Sequence, residues 1–196
     1  MAVMNSRAGG RRRPVRWLRV FCAAASMSLL AVSVSFAQDE TTVTVSSTAA
    51  DAGTEARTPI YLTSASTVQP GAVTITLSYP SDLLTFKAAE SDFADAMGFT
   101  IGTTVRAQEG GKTTAVDLDV RYPKPDKTKV LPDGPIVRVA FDVSKTAKQN
   151  SKIALHASAV VMTTDNPPKP VKSVKAFDGT IDVTGANIFS CFFYMH

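Results

Sequence analysis

From about residue 41 to residue 183, apolar and polar side chains alternate with a period of two, the spacing that sends successive side chains to opposite faces of a β-strand. The alternation is cleanest over 72–79, where Val73, Ile75, Leu77 and Tyr79 face one way and Thr74, Thr76 and Ser78 the other. It recurs over 41–46 with Val43 and Val45, over 113–120 with Val116, Leu118 and Val120, and over 137–143 with Val137, Val139, Phe141 and Val143. Segments 55–63, 83–88, 99–106, 153–162 and 174–183 read as strands from their β-branched and aromatic content. Pro59 marks 55–63 as an edge or irregular strand, because proline cannot donate to a ladder. A turn is expected at 80–82, a hairpin around 109–112, and a helical turn only over 92–97. About nine strands at this spacing, each with one apolar and one polar face, predict an all-β fold, an antiparallel two-sheet β-sandwich without internal repeats.

Two connections, 121–133 and 163–172, mix proline with lysine and aspartate and so resist pairing into a sheet. They are read either as presented binding loops or as solvated loops that keep the sandwich ends from pairing.

The amino-terminal segment is different in kind. Arg11, Arg12, Arg13, Arg16 and Arg19 precede an apolar run over 20–34, followed by Ser35-Phe36-Ala37 and the polar Gln38-Asp39-Glu40. A basic region, an apolar run too short to span a bilayer and small residues before the cut are the parts of a secretory signal peptide, expected over 1–37. Arg12-Arg13 followed by Pro14-Val15-Arg16 is a poor twin-arginine match, so general secretion is expected. An acylated Cys22 is set aside because the apolar run follows that cysteine instead of preceding it.

Removing the leader changes the charge. Of 21 basic and 17 acidic residues, six basic and no acidic ones lie in the leader, so the 159 residues that follow carry 15 against 17, a net −2. The basic balance belongs to the leader, and nucleic acid is not an expected partner. The same cut removes Trp17, the sole tryptophan, and Cys22, which leaves Cys191 alone and rules out an internal disulfide. A chain of this length is expected to fold as one domain over 38–184. The apolar tail 185–196 around Cys191 is too short to span a membrane. It reads equally as an anchoring or disulfide-linked segment, a final packing strand, or an altered gene end.

Catalytic parts are scarce. His156 lies within a strand and His196 is the last residue, so neither a histidine triad nor a two-histidine metal site is provided for. His156 is expected to be satisfied locally. Asp117 and Asp119 share one strand face, a spacing that also suits any solvated face, and no metal or cofactor is expected there. Together with Arg121 they point to solvent or to a partner. Among the rings, Tyr79, Phe86, Phe141 and Phe177 fall in register with core positions, leaving Tyr122 as the expected exposed ring.

Four ordered segments resemble cohesin-type domains, whose jelly-roll fold is shared with carbohydrate-binding modules. Residues 52–62, Ala-Gly-Thr-Glu-Ala-Arg-Thr-Pro-Ile-Tyr-Leu, are similar to that family's opening strand, and 73–86 to its apolar strand, turn and Leu-x-Phe continuation. Residues 133–143, Asp-Gly-Pro-Ile-Val-Arg-Val-Ala-Phe-Asp-Val, resemble its Gly-x-Leu-x-x-Ile-x-Phe-x-Val strand, and 178–183 its closing Gly-x-Ile-x-Val. The turn departs from the pattern: Pro80 follows Tyr79 directly, and the acid comes later as Asp82. The resemblance implies a nine-stranded jelly roll that is not an enzyme and binds a partner. In the family that partner is the calcium-loaded dockerin module, held on one sheet face. The expectation is therefore a secreted, periplasmic or cell-surface bacterial module that binds a surface protein, dockerin-like or other, through Asp117, Asp119, Arg121 and Tyr122. Polysaccharide binding is the alternative.

Overall fold

Among the described residues eleven strands form where the alternation predicts about nine, because the chain passes from one sheet to the other at two places within or beside expected strands. The computed structural model describes residues 40–108, 111–124 and 126–185; the expected leader and the Cys191 segment lie outside them. The strands are β1 (Thr41–Val45), β2 (Thr48–Asp51), β3 (Glu55–Thr63), β4 (Pro70–Pro80), β5 (Leu84–Glu90), β6 (Thr100–Ala107), β7 (Thr113–Arg121), β8 (Gly134–Val143), β9 (Lys152–Thr163), β10 (Val174–Phe177) and β11 (Gly179–Thr184). One short helix, α1 (Ala94–Met97), falls inside the expected helical turn and ends on Gly98 in the left-handed region (φ 75°). A five-stranded sheet, β10-β1-β3-β8-β5, faces a six-stranded sheet, β2-β11-β9-β4-β7-β6. This is the β-sandwich that the alternation and turn spacing predict, with parallel pairing added at two places.

Those parallel pairs are β1 with β10 in one sheet and β2 with β11 in the other. Thr41 lies beside Val174 and Thr48 beside Ile181, so one sequence offset holds on both sides of the crossing. Two chain segments thus cross between the sheets side by side as one ribbon. The crossing explains a reversal in the burial pattern. In β1 the odd-numbered residues Thr41, Val43 and Val45 are buried, whereas in β2 the buried residue is Ala50. A strand face that looks inward from one of two facing sheets looks outward from the other, so a segment that changes sheet without turning over must invert its pattern.

Phe177 is the residue that this inversion misplaces in the sequence reading. Counted back from the buried Ile181 and Val183 it falls in register with the core, but it lies before the crossing and is 42% exposed. The Lys175 ammonium sits 5.6 Å from its ring centroid.

The core lies between the sheets. Phe141 of β8 is fully buried, with Tyr79 of β4 packed edge-on at 4.9 Å and Phe86 of β5 at 6.2 Å between ring centroids. Ile75, Leu77, Leu118, Leu155 and Ile181 from the six-stranded sheet meet Val43, Ile60, Leu62 and Ile136 from the five-stranded one. Each such side chain contributes about 1.5–3 kcal/mol on burial. The Thr58 hydroxyl is buried among them with no hydrogen-bond partner among the described residues.

Two stability changes follow. At the crossing, a Cβ on Gly179 would lie 2.6 Å from Val45 Cγ1 and 2.8 Å from the Ser46 carbonyl oxygen, so only glycine fits between the two segments. The Gly179→Ala variant is expected to lose roughly 1–3 kcal/mol in urea unfolding, the usual cost of overpacking. Thr58→Val, which replaces the unpartnered hydroxyl by a methyl of similar shape, is expected to gain about 1 kcal/mol in the same assay.

Candidate interaction surface

β9, β4, β7 and β6 run side by side, and their registers place the outward residues in cross-strand rows. One row reads Thr104, Asp117, Thr76, Ser158; the next reads Gly102, Asp119, Thr74, Val160. Asp117, Asp119 and Arg121 all stand on this outer face, as the β7 alternation predicts, with Val116, Leu118 and Val120 buried beneath. Nearly every side chain in the two rows is small, so the surface is flat and a partner can approach the backbone closely.

The carboxylates on this face are already engaged. Asp117 accepts a hydrogen bond from the Thr76 hydroxyl at 2.7 Å, and the Arg106 guanidinium contacts both its oxygens at 2.6 and 2.7 Å. Arg106, then Thr76, holds the Asp117 carboxyl below the usual carboxylate range. Arg121 Nε lies 3.1 Å from Asp119 Oδ2. Both pairs join neighbours on the surface, and exposed pairs of this type contribute little to stability. Their effect is to fix where charge is displayed. Among the described residues no three or more His, Cys, Asp or Glu side chains are grouped to hold a metal ion.

Tyr122 departs from the expectation. The alternation that puts Arg121 outside runs on by one residue and turns Tyr122 inward, to 8% exposure. Its hydroxyl donates to the Val130 carbonyl at 3.1 Å, its ring meets Phe99 edge-on at 6.2 Å, and Lys129 lies 5.6 Å from its centroid. It ties Val130 to the end of the sandwich and is not on the outer face. Together with Met162, Ala72 and Pro168 it lines a recess of about 220 Å³ where both proline-lysine connections meet the end of the sheet.

His156, outward on β9, is satisfied by Asp178, with Nδ1 2.8 Å from Oδ2. The other Asp178 oxygen accepts the Ala157 backbone N–H at 2.8 Å. Asp178 stands between β10 and β11, where the neighbouring strand leaves this sheet, and its carboxylate supplies the acceptor that a continuing strand would have provided. Sequence reasoning missed this residue, although an aspartate before a glycine at a strand break is the available signal.

No family model matches the chain, and no curated protein does either. Solved structures do match. The third cohesin of ScaC from Acetivibrio cellulolyticus, solved in complex with the ScaB dockerin, is 18% identical and superposes with a TM-score of 0.59, over 74% of this chain and 99% of that one. The seventh ScaB type I cohesin of Pseudobacteroides cellulosolvens is 16% identical, with a TM-score of 0.58 over 76% and 96%. A non-cellulosomal cohesin from the archaeon Archaeoglobus fulgidus is 21% identical, with a TM-score of 0.50 over 76% and 94%. The sandwich is a jelly roll with the fold of cohesin domains, in agreement with the resemblance in the sequence. Likeness at this level of identity establishes the fold.

The Asp178 carboxylate generates a pH prediction. The Ala157 N–H, and after it His156, lowers its pKa from the ordinary 3.8. A carboxylate with a lowered folded-state pKa stabilises the fold above its unfolded value, and that contribution is lost as the pH falls through the lowered value. Asp178→Asn is therefore expected to melt below the parent protein at neutral pH and to converge on it under acid conditions. Thermal melts across the carboxylate range check this, and a constant difference at every pH contradicts it.

Proposed function

We propose that this protein is an exported, non-catalytic module that binds a dockerin-like protein through the outer face of its six-stranded sheet. The observation that carries the reading is the flat field of small side chains on β9, β4, β7 and β6, with Asp117, Asp119 and Arg121 displayed at defined positions. A flat face suits a macromolecular partner better than a small substrate, which needs a concave site. The ScaC cohesin described above was solved with a dockerin, which supports a protein partner of that class. The basic and apolar order of residues 1–37 supports delivery to the secreted, periplasmic or surface compartment.

Immobilised protein incubated with the exported fraction of its source cells tests the reading, with a polysaccharide-affinity gel run in parallel. Capture of a dockerin-like protein is expected in the presence of calcium. Thr74→Arg and Asp119→Arg, both on the exposed face, are expected to weaken that capture by at least about tenfold, the scale of a central interface residue, without moving the melting temperature. Retardation by glycans with no captured protein would instead establish polysaccharide binding.

A further inference from the structure

Among the described residues, β6 is the long strand edge without the usual protection against further pairing. The edge strands β2 and β10 have four residues each, while β5 bulges between Phe86 and Ala88 and carries Lys87 and Glu90. β6 has eight residues, no proline and no register shift against β7. Its single charge, Arg106, is drawn back over the sheet by Asp117. Short length, bulges and outward charges are what keep exposed edges from pairing, and β6 has none of them.

The register also fixes which groups face outward. The Gln108 N–H donates to the Thr113 carbonyl, so even-numbered residues of β6 bond to β7. The odd-numbered Ile101, Thr103, Val105 and Ala107 consequently aim their N–H and C=O groups at the open edge. Ile101 and Val105 lie opposite the buried Val120 and Val116, on the core side of the sheet. Val105 is nonetheless 52% exposed, over a recess of about 260 Å³ that Leu84, Phe86 and Tyr79 line between the β6 and β5 edges.

We propose that β6 pairs antiparallel with β6 of a second copy of this chain, about a two-fold axis at Thr103, joining the two six-stranded sheets into one. In this register Thr103 faces its own counterpart, and Ile101 and Val105 face each other twice. Each of these pairs exchanges both backbone hydrogen bonds, and Ile–Val is a favourable cross-strand contact. On the outer side Gly102 meets Thr104 and Thr100 meets Arg106, so like charges never stand opposed. A slip of two residues in either direction loses both Ile–Val pairs. A slip of one turns the apolar row of one copy onto the polar face of the other. The self-complementary sequence is the reason for choosing a second copy as the occupant, and the inference is independent of the docking reading.

Sedimentation velocity of the full chain in reducing buffer, with Cys22 and Cys191 kept as thiols, is expected to show a dimer that grows with concentration. Thr103→Pro removes an N–H that faces the open edge and none that bonds β7, and Val105→Lys places a cation opposite Ile101. Both are expected to give monomers with an unchanged far-ultraviolet dichroism spectrum. With both native cysteines replaced by serine, Thr103→Cys is expected to form a disulfide dimer by itself, whereas Ile101→Cys and Val105→Cys link only when the two chains are mixed. A monomer at every concentration overturns the proposal, including one that dimerises only after residues 186–196 are deleted. So does a dimer that survives both edge substitutions.

Discussion

Everything in this sandwich depends on one constraint: two chain segments must cross from sheet to sheet through the same gap. The segment 41–51 and the segment 174–184 run parallel and keep one register on both sides of the crossing. At the crossing their backbones come so close that Gly179 has no room for a side chain against Val45 and Ser46. Asp178 then takes over the bonding that the departing strand gives up, accepting the Ala157 N–H. A glycine for space and a carboxylate for the lost acceptor are the local chemistry that lets a strand change sheets without leaving a buried polar group unmet.

The ribbon seals one side of the sandwich and leaves the other to the edges β5 and β6. The closed side is tied by hydrogen bonds such as Thr180 to Ser47 and Thr184 to Asp51. On the open side, Phe86 and Val105 border an apolar recess. Between these sides the outer face of the six-stranded sheet stays flat, because the registers of β9, β4, β7 and β6 run without a bulge except near Pro70. The two surfaces assigned a role, the flat face and the open edge, thus follow from where the chain closes and where it does not.

Much of this was legible in the sequence because the period of two survives in the central strands. In β4, β7 and β8 the side chains expected inside are inside, and Asp117, Asp119 and Arg121 stand outside as their parity requires. The failures sit at strand ends and crossings. Tyr122 borders a polar loop, which suggests exposure, but the pleat continues by one residue and buries it. Phe177 keeps the parity of the core yet lies outside, because nothing in a one-dimensional pattern marks a change of sheet. The partners of Asp117, Thr76 and Arg106, come from strands 41 and 11 residues away. Periodicity fixes a face and leaves register open, so such pairs emerge only once the strands are aligned.

The sealing ribbon also has a kinetic consequence. Its hydrogen bonds join residues 133 apart, nearly the whole length of the described domain. Chains grow from the amino terminus, so β1 and β2 exist long before β10 and β11 do, and in the interval β1 has only β3 beside it while β2 has no strand partner. Contacts of such long sequence separation form slowly, since the entropy of closing the loop comes before any of their bonds. The β2 segment, among the first of these strands to be made, is therefore among the last to be locked in place.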